Sequence, residues 1–419
     1  MTACPPDLAP ESRWAARRLD VALLIAGLLL CLFFTEHRVH GDGAIRFDSV
    51  QAILRGTIPD GKYSLIGPLG ALPLVALGTL AENPYAAAGL YNFAVFAIAL
   101  FVLWFELGHV LPDSVRRRTL LLLVAGSMFA AHQREFYGEV FTAVLLAVGS
   151  VRLVRRCDLS GWLLIGLGIA NTPPTIVAGG LLALVLCRQR KSWLPLLGPA
   201  LPLVLILAEA WIRRGSPFAL GYSGDAGMVT VLPYSGKTGF SYPFILGVVS
   251  ILFSVGKGLL FYVPGLFLGA ANSAKPQTRD LWQLWLAFTI GLVVIYAKWW
   301  SWYGGWFWGP RFFLFACFPA SLALACELDR RKLLAAFATV LSVWVCFCGA
   351  VFGQMNAGPL SEVDVAWEFL TWYVPENSAI LQPLVDPWPV GLNAVPWALF
   401  SLVVVARLLI PVFREDSRA

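Results

Sequence analysis

Long apolar runs separated by short polar breaks fill this chain. A helix needs about 20 apolar residues to cross a bilayer. Runs of this kind cover Leu19 to Thr35, Ala86 to Gly108, Thr119 to Ala131, Val140 to Val154, Leu194 to Ile212, Leu281 to Ala297, Phe312 to Cys326, Leu333 to Phe352 and Pro396 to Phe413. Gly161 to Leu186 is apolar but broken by Asn171, Pro173 and Pro174. Helices stop before proline, so this stretch predicts a hairpin of two shorter helices. Ser64 to Ala81 is interrupted by Pro68, Pro73 and glycines, and predicts a helix that lies at the outer interface or re-enters there. Pro243 to Ala271 is too long for one crossing and carries Gly256-Lys257-Gly258 in its middle. It predicts an interface helix over Pro243 to Val255 and a crossing helix over Leu259 to Ala271.

Basic residues choose the orientation. If Ser64 to Ala81 does not cross, the clusters Arg13/Arg17/Arg18, Arg116 to Arg118, Arg152/Arg155/Arg156, Arg188/Arg190/Lys191, Lys275/Arg279, Arg330/Arg331/Lys332 and Arg414/Arg418 all fall on one side. If it crosses, every later loop flips and most basic residues end outside. The excess of Lys and Arg belongs in the cytoplasm. The chain therefore reads as an all-α polytopic membrane protein of about 12 spans with both termini cytoplasmic. It forms one membrane domain over 1–419, with 1–18 as the cytoplasmic N-terminus. The long outer segments are 36–85, with its juxtamembrane helix, then 213–258, 298–311 and 353–395, the last a small cap. His132 to Glu139 joins two spans on the same side. The basic stretch before the first run has no small-residue cleavage site after it, so that run reads as a retained span.

Composition agrees with the pattern. The chain is 58% hydrophobic and 13% charged, where soluble proteins carry about a quarter charged residues. The net charge of +6 follows from cytoplasmic loops and gives no reason to expect nucleic acid. The cysteines lie mostly inside apolar runs and read as buried free thiols. No Walker-type loop, HExxH or GxSxG occurs, which removes nucleotide-loop, zincin and nucleophile-elbow chemistry. No cofactor follows from the residues. A divalent metal shared between the acidic outer loops is the single cofactor they leave open.

Chemistry concentrates outside. Thr35 to Tyr63 is the most sustained polar stretch of the first half, and Asp42 sits within it in HGDG. Two readings stand: an Asp-Gly turn, or a general base with glycines that let a substrate approach. Asp48 begins an amphipathic run. The second outer loop, HQREFYGEVF, holds His132, Arg134, Glu135 and Glu139, with Glu139 at a helix start where the dipole favours a carboxylate. Lys298 to Phe312, KWWSWYGGWFWGPRF, joins an aromatic cluster to Gly304-Gly305 and a Gly-Pro-Arg turn. Trp302, Tyr303, Trp306 and Trp308 beside Arg311 suit a sugar face and a phosphate. An interfacial aromatic belt accounts for the tryptophans alone. Lys257 lies near the outer face, within reach of headgroups.

These patches together resemble the GT-C class of membrane glycosyltransferases. The resemblance is to the branch that takes sugars from polyprenyl monophosphate, such as protein O-mannosyltransferases and aminoarabinose transferases. It rests on Asp42 after the first span, the amphipathic helix ending at Gly56, KYSLIGPLGALPL from Lys62, Glu139 opening a span, GKGLLFYVPGL from Gly256, and WYGGWFWGPR ending at Arg311. It implies an inverting transfer to a hydroxyl at the extracytoplasmic face of the plasma (bacterial inner) membrane. Asp42 is then the base, with Asp48 and Glu139 as further acids, and Lys257, Arg311, Arg134 and Lys62 hold the donor phosphate. Tyr63 and the Trp302 to Trp308 aromatics contact sugar or lipid. The partners implied are a polyprenyl-phosphate-linked sugar, a glycan, lipid or protein acceptor, and the bilayer. Where the family commonly has Asp-Glu, Gly43 follows Asp42, so Asp48 either replaces the second acid or caps its helix. The other readings are a transporter or flippase, for which the broken helix speaks, and a non-catalytic envelope subunit.

Overall fold

The computed structural model describes residues 10–156, 158–219, 221–222, 224–226, 229–270, 275–330, 333–353, 367–385 and 391–413. Apolar sequence offers the backbone no side-chain partners, so its N–H and C=O groups pair within helices. These are α1 (Pro10–Phe33), α2 (Asp42–Leu54), α3 (Ile66–Leu80), α4 (Pro84–Glu106), α5 (Asp113–Ala125), α6 (Phe129–His132), α7 (Gly138–Arg155), α8 (Leu159–Asn171), α9 (Ile176–Arg190), α10 (Ala200–Arg214), α11 (Phe244–Phe253), α12 (Leu259–Tyr262), α13 (Pro276–Tyr296), α14 (Cys317–Asp329) and α15 (Leu333–Val351), with a last long helix over Ala394–Phe413. Among the described residues, five helical stretches are long and apolar enough to cross a membrane: Pro84–His109, Leu194–Arg214, Pro276–Tyr296, Arg311–Leu328 and Leu333–Val351. Shorter apolar helices, α3, α8 and α11 among them, accompany these.

The Arg311–Leu328 stretch is the centre of the bundle, 94% buried, and packs on α5 and α13. Leu194–Arg214 is the opposite case, 22% buried, with Val204, Trp211 and Ile212 turned outward. In water that face is costly; against lipid it is the favourable one. The prolines act as the sequence predicts between α8 and α9, where a 3-10 turn at Pro173–Thr175 separates two helices. They also overturn one expectation. Leu259 to Ala271 is not a crossing helix: α12 ends at Tyr262 and a 3-10 turn follows at Pro264–Phe267. Pro264 cannot donate to a continuing helix, and a Cβ on Gly265 would lie 2.6 Å from the Ala320 carbonyl oxygen, so backbone packs on backbone there.

At one end of the bundle α2 and α3 form a layer over α4 with its own small core of Val39, Val50, Ala71, Val75, Ala88, Tyr91 and Phe136. At the other end, buried Asp20 accepts from Arg117 Nε at 2.7 Å and pairs with Arg407 Nε at 2.8 Å. Arg407 is thus a structural partner that ties the last helix to α1 and α5. Residues 1–9 and 414–419, Cys4, Cys157, Arg331, Lys332 and part of the expected cap (354–366 and 386–390) lie outside the described residues.

Candidate active site

Gly41 adopts φ +53, a left-handed value that suits glycine. The chain turns there and Asp42 becomes the first residue of α2, where the helix dipole favours a carboxylate. One turn later Arg46 lies on the same face and is buried, 7% exposed. Glycine makes its place: a Cβ on Gly138 would sit 2.6 Å from Arg46 Nη2. Asn171, at the end of α8, closes the surroundings by accepting from Gly67 N at 3.0 Å and donating to Gly138 O at 2.9 Å.

The segment after α2 brings in Lys62 and Tyr63, and α10 holds it from behind. Arg213 donates to the carbonyls of Pro59 (3.1 Å), Gly61 and Tyr63 (2.7 Å), and to Glu209 at 2.6 Å. Glu209 in turn accepts from Ser64 Oγ at 2.7 Å and Leu65 N at 3.0 Å.

These elements wall a cavity of about 550 Å³ that has two ends. Its polar end carries Asp42, Glu139 and Asp225 with Arg46, Lys62 and Arg311. Its apolar end is lined by Ile176 and Val177 of α9, Leu203, Ile206 and Leu207 of α10, and Ile295 of α13. Arg311 Nη1 lies 2.7 Å from Asp42 and 3.5 Å from Glu139, and its guanidinium stacks 3.7 Å from the Phe307 ring centre. Lys62 pairs with Asp225 at 2.9 Å. Arg46 forms no ion pair among the described residues; it stacks on Tyr63 at 4.6 Å, and its Nε and Nη1 lack hydrogen-bond partners. Burial pushes the Asp42 carboxyl up, but Arg311 beside it and the Tyr63 hydroxyl that donates to it outweigh that effect. The net result holds Asp42 below the usual carboxylate range. Burial and the neighbouring Asp42 raise Tyr63 above the usual phenol range, so it stays a donor.

Five residues singled out from the sequence thus meet in one cavity: Asp42, Lys62, Tyr63, Glu139 and Arg311. Others do not line it. Asp48, two residues past Arg46, falls on the exposed face of α2. Arg134 donates to the Glu36 carbonyl at 3.2 Å, away from the cavity. Lys257, expected on the phosphate, is buried behind the wall, where its ammonium donates to the carbonyls of Gly305 (3.3 Å), Phe307 and Gly309 (3.2 Å). Trp302 and Trp308 are core residues, Tyr303 stacks on Trp372 at 3.8 Å, and Trp306 faces the Lys257 side. Besides Tyr63, the aromatics that do reach the cavity are Trp299, Trp300, Tyr222, Phe240, Tyr296 and Phe312. Arg46, Tyr222, Asp225 and Asn171 were missed from sequence. Arg46 alone had a signal, its spacing of four from Asp42 on an amphipathic helix. Among the described residues no cluster of His, Cys, Asp and Glu is arranged to hold a metal ion.

No protein-family model matches the chain, and no curated protein does. Among the solved structures that share its fold are two crystal structures of one protein. ArnT from Cupriavidus metallidurans bound to undecaprenyl phosphate matches with 14% identity over 97% of this chain and 79% of that one, at a TM-score of 0.52. The apo state of ArnT from the same organism matches with 13% identity over 96% and 78%, at 0.50. The chain is accordingly an all-α, polytopic, integral membrane protein with an ArnT-like fold.

Proposed function

We propose that this protein is a glycosyltransferase of GT-C type, moving a sugar from a polyprenyl-phosphate donor to a hydroxyl acceptor at the extracytoplasmic membrane face. One observation carries the reading: a single cavity joins paired carboxylates and three cations to an apolar groove between membrane helices. A phosphate suits the cationic end and an isoprenoid chain the groove. The ArnT structure of the same fold was solved with undecaprenyl phosphate bound, which supports this class of donor.

The chemistry follows from the contacts. Arg46 and Lys62 receive the phosphate oxygens by charge-assisted hydrogen bonds. Arg311 is shared with the phosphate, which weakens its hold on Asp42. Asp42 paired with Arg311 is a weak base, held low by that guanidinium. Donor binding therefore raises its basicity when a base is needed. Asp42 takes the acceptor O–H proton, the acceptor oxygen bonds to the anomeric carbon, and the carbon–oxygen bond to phosphate breaks. The electron pair and negative charge pass to the departing polyprenyl phosphate, where the cations stabilise them. One displacement inverts the anomeric centre.

A second reading, a transporter or flippase, draws on Pro173 and Pro174, whose helix break lines the same cavity. Against it, charges near the span ends are in structural pairs: Glu106 with Arg152 and Arg155, Glu209 with Arg213, and Asp20 with Arg407. The deciding experiment incubates purified protein in detergent with a panel of polyprenyl-phosphate sugars and hydroxyl acceptors. Turnover of one donor is expected. Failure with every donor, alongside uptake of a lipid-linked sugar in vesicles, sinks the transferase reading.

A further inference from the structure

We propose that Lys257 is a positioning residue, whose ammonium seats the aromatic loop and thereby aims Arg311 at Asp42 and the donor phosphate. The inference rests on the transferase reading for its catalytic consequence, and on geometry alone for the seating itself.

An ammonium has three protons and no acceptor. Those of Lys257 meet three backbone carbonyls, at Gly305 (3.3 Å), Phe307 and Gly309 (3.2 Å). Every second carbonyl of the loop is drawn to one point, with Gly305 and Gly309 at φ +77 and +59. L side chains rarely adopt such values, so the loop can wind round the ammonium only with glycine there. The seat is rigid from below. Gly256 N donates to Trp372 O at 2.9 Å, and a Cβ on Gly256 would lie 1.7 Å from Thr371 O. A Cβ on Gly258 would lie 2.3 Å from Ser254 O. Gly256 thus lets the backbone before the lysine sit flush against the 371–372 chain, and Gly258 lets the backbone after it fold closely onto Ser254.

From the seat the path to the site is continuous. The Phe307 carbonyl is held by Lys257, its ring lies 3.7 Å under the Arg311 guanidinium, and Arg311 reaches Asp42 at 2.7 Å. Lys257 itself does not line the cavity. The molecule uses the same device on the opposite wall, where Arg213 gathers the carbonyls of Pro59, Gly61 and Tyr63 behind Lys62. A basic side chain buried against alternate carbonyls fixes each loop that presents a cation to the cavity.

The test substitutes Lys257→Met, which keeps most of the length and removes the charge and all three donors. Amide hydrogen exchange is followed across 302–311 in detergent, together with donor turnover. The expected result is loop exchange at least about tenfold faster with α7 and α13 unchanged, and turnover lower by about 100-fold. In a Phe307→Leu background, Lys257→Met adds almost no further turnover loss, because both act through Arg311. Unchanged loop exchange overturns the proposal. So does a rise in donor KM with loop protection intact, which marks a direct phosphate contact. Additive losses in the double variant overturn it as well. If Lys257→Met does not fold, Phe307→Leu alone decides, since its carbonyl stays seated: wild-type turnover in that variant overturns the path to Arg311. If wild-type protein turns over no lipid-linked sugar, the function fails, while the exchange result still judges the seating.

Discussion

The two walls of the cavity are built by opposite means. The α2 wall has few aromatic side chains and presents four polar residues to the cavity: Asp42, Arg46, Lys62 and Tyr63. The 298–311 wall is crowded with aromatics, yet its most conspicuous ones turn inward, Trp302 and Trp308 into the core and Tyr303 onto Trp372. Its one charged contribution to the cavity is Arg311. Unusual composition on the second wall is therefore mostly packing that holds one guanidinium still. On the first wall, α2 and the segment after it carry the groups to which the proposed reaction assigns the chemistry.

The sharpest break of this comparison is Asp42→Asn. Loss of general-base action predicts turnover lower by about 10³-fold, with abundance and membrane insertion unchanged. Full activity in that variant removes the α2 wall from the chemistry. Next comes Arg311→Ala, expected to cost about 100-fold in turnover and to raise the donor requirement. Initial rates over a donor series check it, and a variant whose main defect is lost stability makes the aromatic wall purely structural. Trp308→Phe sharpens the contrast from the other side. It lies against Tyr262 and His132 in the core, so the melting temperature is expected to fall by several degrees while donor KM stays within about twofold.

The smallest effect is one of pH. Burial raises Glu368, which accepts from Tyr303 at 3.1 Å, to about 7. A carboxyl whose folded value exceeds its unfolded one contributes fully at low pH and loses that contribution as pH climbs from the ordinary glutamate range towards 7. Asp42, held low, goes the other way: its contribution is present at neutral pH and is lost as acid titrates it. Melting curves from pH 5 to pH 7 are expected to show a decline that Glu368→Gln flattens and Asp42→Asn does not.

Much of this architecture is legible in the sequence, because hydropathy and proline placement act locally. Runs and breaks foretell the helices and the turn at Pro173–Thr175. Asp42, Lys62, Tyr63, Glu139 and Arg311 stand beside span ends, where polar residues stand out. What escapes is set by tertiary geometry. Asp225 meets Lys62 from a loop with no periodicity at all, and nothing in GKG says whether its ammonium faces headgroups or carbonyls. Asp48 and Arg46 show the intermediate case: both are polar and in one helix, and the helical angle alone separates cavity from solvent.

The cavity's balance of three cations against three carboxylates also decides what stays out. An inorganic phosphate arriving from solution must pull Arg311 and Lys62 from partners already in contact, and it brings no hydrocarbon to offset that. A lipid-tethered anion would bring a greasy chain suited to the apolar lining from α9 and α10. If the proposed donor is right, the cavity discriminates by anchorage as well as by charge, and millimolar free phosphate is expected to compete poorly with a trace of prenylated one.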